Sequence, residues 1–269
     1  MKYFVTLRLH VEDASPKLTE YAVGLPSPIV YLSFIENLLI KSNLKKPGQD
    51  THQPVNLVYG FKSFEILENH VSRSSQRLGY QSIKDDPKVK PRAGYLNSSM
   101  IDTYKANIET SLRFEVNTLH STEELKKLFN RVILKLRFAK GFIKRYSVSV
   151  FEGNEKGYKS ASYKMFPAMI ACHENREIKD TQELVKRLVI TNKKEGDKKD
   201  DLDRGNYALT VIGYRLLEKS REESVGYDNY FSETLVGLIS FKALTMSNYQ
   251  SVSKWNFANN KDHLIAKGA

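Results

Sequence analysis

The chain has 269 residues, of which 41% are hydrophobic and 27% charged, as in ordinary soluble globular proteins. Its formal net charge of +11 is unusual, and it favours partners that carry phosphate groups, such as nucleic acids or acidic membranes. No run of about 18 apolar residues occurs, which excludes a transmembrane helix. The single cysteine, Cys172, excludes an internal disulfide and a cysteine-based metal site and predicts a small buried side chain. We therefore expect a cytoplasmic protein without a membrane partner.

The N-terminal part of the chain alternates between strand and helix patterns. Residues 2–11 predict a strand, because every second residue is apolar. A break at residues 24–28 precedes a helix that begins with Ser27 as N-cap and Pro28 as first residue. This helix is expected to end near residue 41, and residues 55–67 predict the second strand.

A long segment at residues 68–102 has no apolar periodicity and predicts a functional excursion or a flexible arm. Its basic residues are Arg73, Arg77, Lys84, Lys88, Lys90 and Arg92. Tyr80 and Tyr95 lie among them, and arginine and tyrosine side chains can stack on the bases of single-stranded RNA. The alternative is a disordered basic loop that contacts nothing specific.

A second helix and two further strands follow the basic segment. Residues 105–116 alternate as a strand, and Ser121 and Glu124 form a capping box before a helix that extends past Leu136. Residues 138–141 close this helix, and residues 146–151 predict the fourth strand. The order strand, helix, strand, strand, helix, strand predicts an α+β, ferredoxin-like (RRM-like) βαββαβ core over residues 1–151. Many RNA-binding domains share this frame.

The remaining residues, 152–269, predict an α/β extension, rich in strands, that packs on the core. Residues 158–173 are interpreted as a strand or hairpin around Pro167, and a short capped helix is expected from Asp180. Residues 207–218 and 231–244 are strongly apolar, and the pattern of the second segment leaves strand and helix open. The only tryptophan, Trp255, is expected to pack in the core rather than to anchor a partner.

A second group of basic residues surrounds Gly141, just after the second helix, and contains no acidic residue. It consists of Lys135, Arg137, Lys140, Lys144 and Arg145. A glycine turn lets backbone N–H groups approach a phosphate, while the basic side chains neutralise it. The alternative is a solvated helix end, because basic side chains favour the last turn of a helix.

Two further positions are weaker candidates for contact with a phosphate or another ligand. Free N–H groups at Ser27 can bind a phosphate, but simple helix capping is the favoured interpretation there. Arg8 and His10 share one side of the first strand, which faces either a ligand or solvent.

Three segments, taken in order, resemble motifs of a known family. Residues 24–34 (GLPSPIVYLSF) resemble its helix opening, and residues 107–116 with 136–143 (NIETSLRFEV, LRFAKGFI) resemble its strand–helix–turn motif. Residues 206–214, 231–238 and 254–257 complete the likeness. The pattern is similar to the Csy-two family, the Cas-five-type subunits of type I-F CRISPR Cascade complexes in the RAMP superfamily. Lys140 here replaces the first glycine of the family's glycine pair.

The resemblance implies a non-catalytic subunit of an antiviral ribonucleoprotein that holds the five-prime handle of the guide RNA (crRNA). It implies contacts with the large subunit and the first backbone subunit, contact with target DNA only through the complex, and a thumb-like role for the basic insertion. No cofactor and no metal are expected. The predicted RNA-binding residues are Arg8, Ser27, Arg73, Arg77, Lys88, Lys90, Arg92, Arg137, Lys140, Gly141, Lys144 and Arg145.

Two alternatives remain at this point. Related RAMP endoribonucleases cut guide RNA without a metal by using a histidine, and His70, beside the basic segment, is the only candidate for that role. The sequence contains no HExxH, CxxC, GxSxG or Walker-type motif, which argues against other enzyme classes. The second alternative is a scaffold that binds only protein and uses its charge for solubility.

Overall fold

The computed structural model describes residues 1–16, 24–46, 54–73, 100–173, 182, 207–219, 230–245, 247–260 and 263–268. The helices in this part of the chain are α1 (Pro28–Lys41), α2 (Thr122–Val132) and α3 (Glu155–Tyr163), with a 3-10 turn at Ile133–Lys135. The strands are β1 (Lys2–Ala14), β2 (Val58–Arg73), β3 (Met100–Asn117), β4 (Arg137–Phe138), β5 (Gly141–Glu152), β6 (Met169–His173), β7 (Tyr207–Lys219), β8 (Tyr230–Ala243), β9 (Trp255–Asn260) and β10 (His263–Gly268).

All of these strands belong to one sheet in the order β4-β5-β1-β3-β2-β6-β8-β7-β10-β9. Every neighbouring pair in that order is antiparallel. The sheet curls into a half-barrel. β6 connects its two halves, because β6 pairs with β2 on one side and with β8 on the other.

The predicted fold class, an α+β ferredoxin-like βαββαβ core with a β-rich C-terminal half, is therefore wrong. The described chain is mostly antiparallel sheet with three short helices. The sheet does not end with the strands of the first 151 residues, because backbone hydrogen bonds continue across β2, β6 and β8. The division into units at residues 1–151 and 152–269 stays a prediction.

The main core lies between the sheet and the helices α1 and α2. Val5, Leu7 and Leu9 of β1 are buried there, as their alternation predicts, together with Leu32, Ile35 and Leu38 of α1 and Phe129 of α2. The predicted caps of these two helices are confirmed, and the cap predicted at Asp180 lies outside the described residues. Ser27 caps α1 with Pro28 in its first turn, and Ser121 and Glu124 form the capping box of α2.

The helix α3 lies on the opposite side of the sheet, and its existence corrects the prediction of a strand or hairpin from residue 158. Asn154 is its N-cap, since its side-chain oxygen accepts a hydrogen bond of 2.7 Å from the Gly157 N–H. Tyr158, Ala161 and Ser162 contact the sheet from one side of the helix, at helical spacing. Only the last part of that predicted strand or hairpin, Met169–His173, is a strand, β6.

The C-terminal predictions are resolved in favour of strands and core packing. The apolar segment at residues 231–244, left between strand and helix, is β8. Trp255 is fully buried, as predicted, and its indole N–H donates to the Ala171 carbonyl at 3.1 Å. Cys172 is buried as well. None of the helices described here has the length and apolarity needed to cross a membrane.

The structure differs from the prediction at both ends of the basic segment at residues 68–102. β2 continues to Arg73 and β3 begins at Met100, so both ends of the segment are strand rather than loop. Residues 74–99 lie outside the described residues, and with them Arg77, Lys88, Lys90 and Arg92.

Candidate nucleic-acid interface

The second helix ends earlier than predicted, and four of the five basic residues that follow it lie on a β-hairpin, while Lys135 lies in the 3-10 turn that continues the helix. α2 stops at Val132, and β4 pairs with the start of β5 through Arg137–Phe142 and Phe138–Gly141. The two turn residues, Ala139 and Lys140, have positive φ angles of 47° and 65°. A two-residue turn with both residues in the left-handed region matches the twist of its flanking strands.

This hairpin is fixed to the body of the protein at two points. The Phe138 ring is fully buried and packs edge-on against Tyr31 and Phe34 of α1, with centroid distances of 4.8 and 5.4 Å. The Ser15 N–H donates a hydrogen bond of 2.7 Å to the Ala139 carbonyl. The hairpin backbone is thus held in place, while the Lys140 side chain is exposed.

Gly141 has a packing role that the sequence interpretation did not anticipate. It is buried against the end of β1, and a Cβ atom added there would lie 2.7 Å from the Ala14 Cα and 2.7 Å from the Glu12 carbonyl oxygen. Only glycine permits this close approach of the two backbones.

A β-bulge places two consecutive cations on the surface of β5. Arg145 pairs with His10, and Ile143 pairs with Val11, so Lys144 is an extra residue with no opposite residue in the β1 ladder. The side chains of Lys144 and Arg145 are both exposed. Without the bulge, strict alternation would give neighbouring residues opposite orientations.

We call the five cations Lys135, Arg137, Lys140, Lys144 and Arg145 the cationic hairpin. Among the described residues, Lys144 alone of the five has a carboxylate partner, with its Nζ 2.9 Å from Glu12 Oε2. That ion pair is exposed, at 60% and 40% of the two side chains, and is worth about 0–1 kcal/mol. The hairpin therefore presents three cations that no described carboxylate neutralises, Arg137, Lys140 and Arg145, and Lys135 adds a fourth from the 3-10 turn before it.

One exposed aromatic residue of the hairpin was missed as a site residue. The Arg137 guanidinium carbon lies 3.5 Å from the centroid of the Phe142 ring, and Phe142 is 55% exposed. In the structure Phe142 lies between Gly141 and Ile143, which are both buried. Alternation on β5 places Phe142 on the outer side.

A different environment surrounds the cations of β1 and β3 beneath α3. Arg113 is 2% exposed, and its guanidinium donates to Ser162 Oγ and, at 2.9 Å, to Tyr158 Oη. The same guanidinium stacks on the Tyr158 ring at 4.0 Å. Burial lowers the pKa of Arg113, and Tyr158 and Glu115 oppose this effect. We call Thr6, Arg8 and Arg113 the α3 contact surface.

Arg8, a predicted RNA-binding residue, belongs to this α3 contact surface. Its Nε donates to the Lys164 carbonyl at 2.5 Å, and its Nη2 donates to the Phe166 carbonyl. Thr6 Oγ1 donates to the Ala161 carbonyl at 2.9 Å. Arg8 thus ties the end of α3 to β1, although part of its side chain is exposed.

The other predicted site residues are not gathered at the hairpin. Ser27 is buried and caps α1, with its Oγ accepting from the Val30 N–H at 3.4 Å. Arg73 is the last residue of β2, and His70 pairs with Thr103 in the ladder of β2 and β3. The side chains of Arg73 and His70 lie outside the described part.

The described residues contain no group of three or more His, Cys, Asp or Glu side chains arranged to hold a metal ion. No protein-family model matches the chain, and no curated protein matches it. The resemblance noted in the sequence therefore stays a prediction.

Proposed function

We propose that this protein is a non-catalytic RNA-binding subunit, and that its cationic hairpin binds the phosphates of a single-stranded RNA. The observation that carries the proposal is a hairpin, fixed at Phe138 and Ala139, that exposes three cations without a described carboxylate partner, with Lys135 as a fourth in the 3-10 turn just before it. Following the sequence resemblance, the RNA is the five-prime handle of a CRISPR guide in a type I-F effector complex, with the large and backbone subunits as neighbours.

Release of counterions makes the binding of RNA phosphates depend on salt. Each phosphate that a lysine or arginine neutralises frees condensed counterions, so the affinity falls as the salt concentration rises. For a single strand the slope of log K against log salt is about −0.7 per neutralised phosphate. Because the core holds the hairpin backbone in place, RNA binding costs little main-chain conformational entropy there.

The side of the sheet that faces away from α1 and α2 is not the proposed RNA surface, because α3 covers part of it. Phe4, an aromatic residue of the central strand β1, packs edge-on against Tyr158 of α3 with a centroid distance of 5.2 Å. A ring covered in this way is not free to stack on a base. At the edge formed by β4 and β5 the side chains of Lys140, Lys144 and Arg145 are exposed in the described part of the chain, which supports the hairpin instead.

The decisive experiment reverses three hairpin charges together, in the variant Arg137→Glu, Lys140→Glu, Arg145→Glu. We expect its affinity for a fluorescently labelled single-stranded RNA to fall at least about 100-fold and its salt slope to become shallower by about 2. Circular dichroism should show an unchanged fold, since the three side chains are exposed.

The matched control carries the same change of net charge on α3 and just beyond it, in the variant Lys156→Glu, Lys159→Glu, Lys164→Glu. These three side chains are also exposed. The control should bind RNA more weakly only through the general loss of positive charge. Equal losses in the two variants, or unchanged binding in the hairpin variant, would show that the hairpin is not the site.

Two further measurements test the rest of the proposal. Incubation with repeat RNA in EDTA should give no product, and a product that disappears in His70→Ala would make the protein an endoribonuclease. An RNA affinity that does not change with salt would favour the protein-only scaffold, because phosphate contacts require a salt dependence.

A further inference from the structure

We propose that Arg137 and Phe142 form a stacking platform for one unpaired base of the bound RNA, an inference that rests on the proposed function. The phosphates next to that base then lie against the remaining cations of the hairpin. The proposal assigns base contact to a pair of residues on neighbouring strands, β4 and β5, at the edge of the sheet.

The geometry of the pair is the first support. The two residues are opposite each other across the hairpin, and the guanidinium carbon is 3.5 Å from the ring centroid. At that distance the cation lies on the ring face, where the ring quadrupole attracts it. Both side chains are exposed, so the pair forms an aromatic and cationic surface open to solvent.

The exposure of Phe142 is the second support. Among the aromatic side chains whose exposure the structure describes, Phe142 is the most exposed, at 55%, followed by Phe257 at 37% and Tyr163 at 36%. Its ring faces the Arg137 guanidinium and lies within the cationic hairpin. Phenylalanine on a surface leaves apolar area in contact with water, which a stacked base would cover.

The chemistry of arginine is the third support. A planar guanidinium can stack on a base through one face and donate to phosphate oxygens through its N–H groups. Arg137 has no carboxylate within ion-pair distance among the described residues, so its donors are not already occupied by an acidic group. Stacking of this kind is tolerant of base identity, because every base has a π face.

A purely structural role makes a different prediction. Cross-strand pairs of this type stabilise hairpins, so the pair could serve only to hold β4 against β5. In that case the loss of Phe142 would change the stability of the hairpin without changing the contribution of any base to affinity.

The test compares Phe142→Leu with Phe257→Leu, which removes an exposed ring from the opposite edge strand, β9. Both variants keep an apolar side chain and the net charge. We expect Phe142→Leu to weaken binding of single-stranded RNA about 10-fold and Phe257→Leu to leave it unchanged. Arg137→Lys, which keeps the charge but loses the planar group, should also weaken binding.

A second measurement uses the wild-type protein, so that it does not depend on how a variant folds. A single 2-aminopurine is moved along the RNA, and its fluorescence is recorded with and without protein. We expect quenching at one position, and a loss of affinity of about 10-fold when the same position is made abasic.

The outcomes separate the two proposals. If the wild type binds RNA with a salt slope, but no abasic position and no change at Phe142 alters its affinity, the stacking platform is wrong and the phosphate-binding hairpin stands. If the wild type binds no RNA, the proposed function is wrong and the platform with it.

Discussion

The cationic hairpin and the α3 contact surface belong to the same sheet and both contain arginines, but they use them differently. Arg113 is buried and donates to Ser162 and Tyr158, and Arg8 donates to the carbonyls of Lys164 and Phe166. Arg137 has a ring as its neighbour and no described carboxylate. The comparison shows that net charge identifies a class of partner, whereas the covering elements determine which cations can reach it.

The difference arises from what lies over each region. α3 and the residues after it bring neutral acceptors to β1 and β3, so the arginines there stabilise the position of the helix. At the edge of the sheet, β4 is only two residues long and has no strand beyond it in the described sheet. Charge in the first region contributes to folding, and charge in the second is available for binding.

Substitution of the buried Arg113 should destabilise the protein most. Arg113→Ala removes two hydrogen bonds and the stacking on Tyr158, and it leaves a cavity beneath α3. We expect a loss of about 3 kcal/mol in the free energy of unfolding, measured by urea denaturation. Arg145→Ala, an exposed arginine of the hairpin, should change it by less than about 0.5 kcal/mol. Similar losses in both variants would mean that the two regions do not differ in this way.

An intermediate effect is expected at Arg8, where a partly exposed arginine holds the end of α3. Arg8→Ala should lower the free energy of unfolding by about 1 kcal/mol, because two hydrogen bonds to carbonyl groups are lost near solvent. RNA affinity should change less than about 3-fold, the size expected from a general loss of one charge. A loss comparable to that of the triple hairpin variant would place Arg8 in the interface, as the sequence predicted.

Glycine substitutions at Lys140 and Lys144 should change the free energy of unfolding least. Lys140 has a φ of 65°, so Lys140→Gly should raise the free energy of unfolding by about 0.5–1 kcal/mol while weakening RNA binding a few-fold. Lys144→Gly removes the same charge from a strand and should instead destabilise the protein by about 0.5–1 kcal/mol. Equal thermal shifts in the two variants would argue against strain at Lys140.

The strands with clear alternation could be predicted from the sequence, and the long-range pairing could not. β1 and β3 were placed within a few residues, because one side of each is apolar and buried. β6 joins β2 to β8 through pairs such as Gly60 with Ile170 and Cys172 with Ser240. The periodicity of a strand does not show which other strand it pairs with, and for this reason the fold class was predicted wrongly.

The helix α3 was missed because its sequence is short and includes one glycine, two serines and two tyrosines among nine residues, which have lower helix propensity than alanine, lysine or glutamate. Its packing against Phe4 and Arg113 overrides this weak propensity. The basic cluster itself was found from the sequence. Its placement on a hairpin was not, because the apolar pattern of α2 continues into residues 133–138 and resembles more helix.

The bulge at Lys144 allows the charge of this surface to change during evolution without a change in the strand register. Since Lys144 has no opposite residue in β1, losing its codon would let Ile143 and Arg145 close into a regular ladder, with both keeping their present partners. One unit of positive charge can thus be gained or discarded by a single in-frame insertion or deletion, and no other side chain has to change sides.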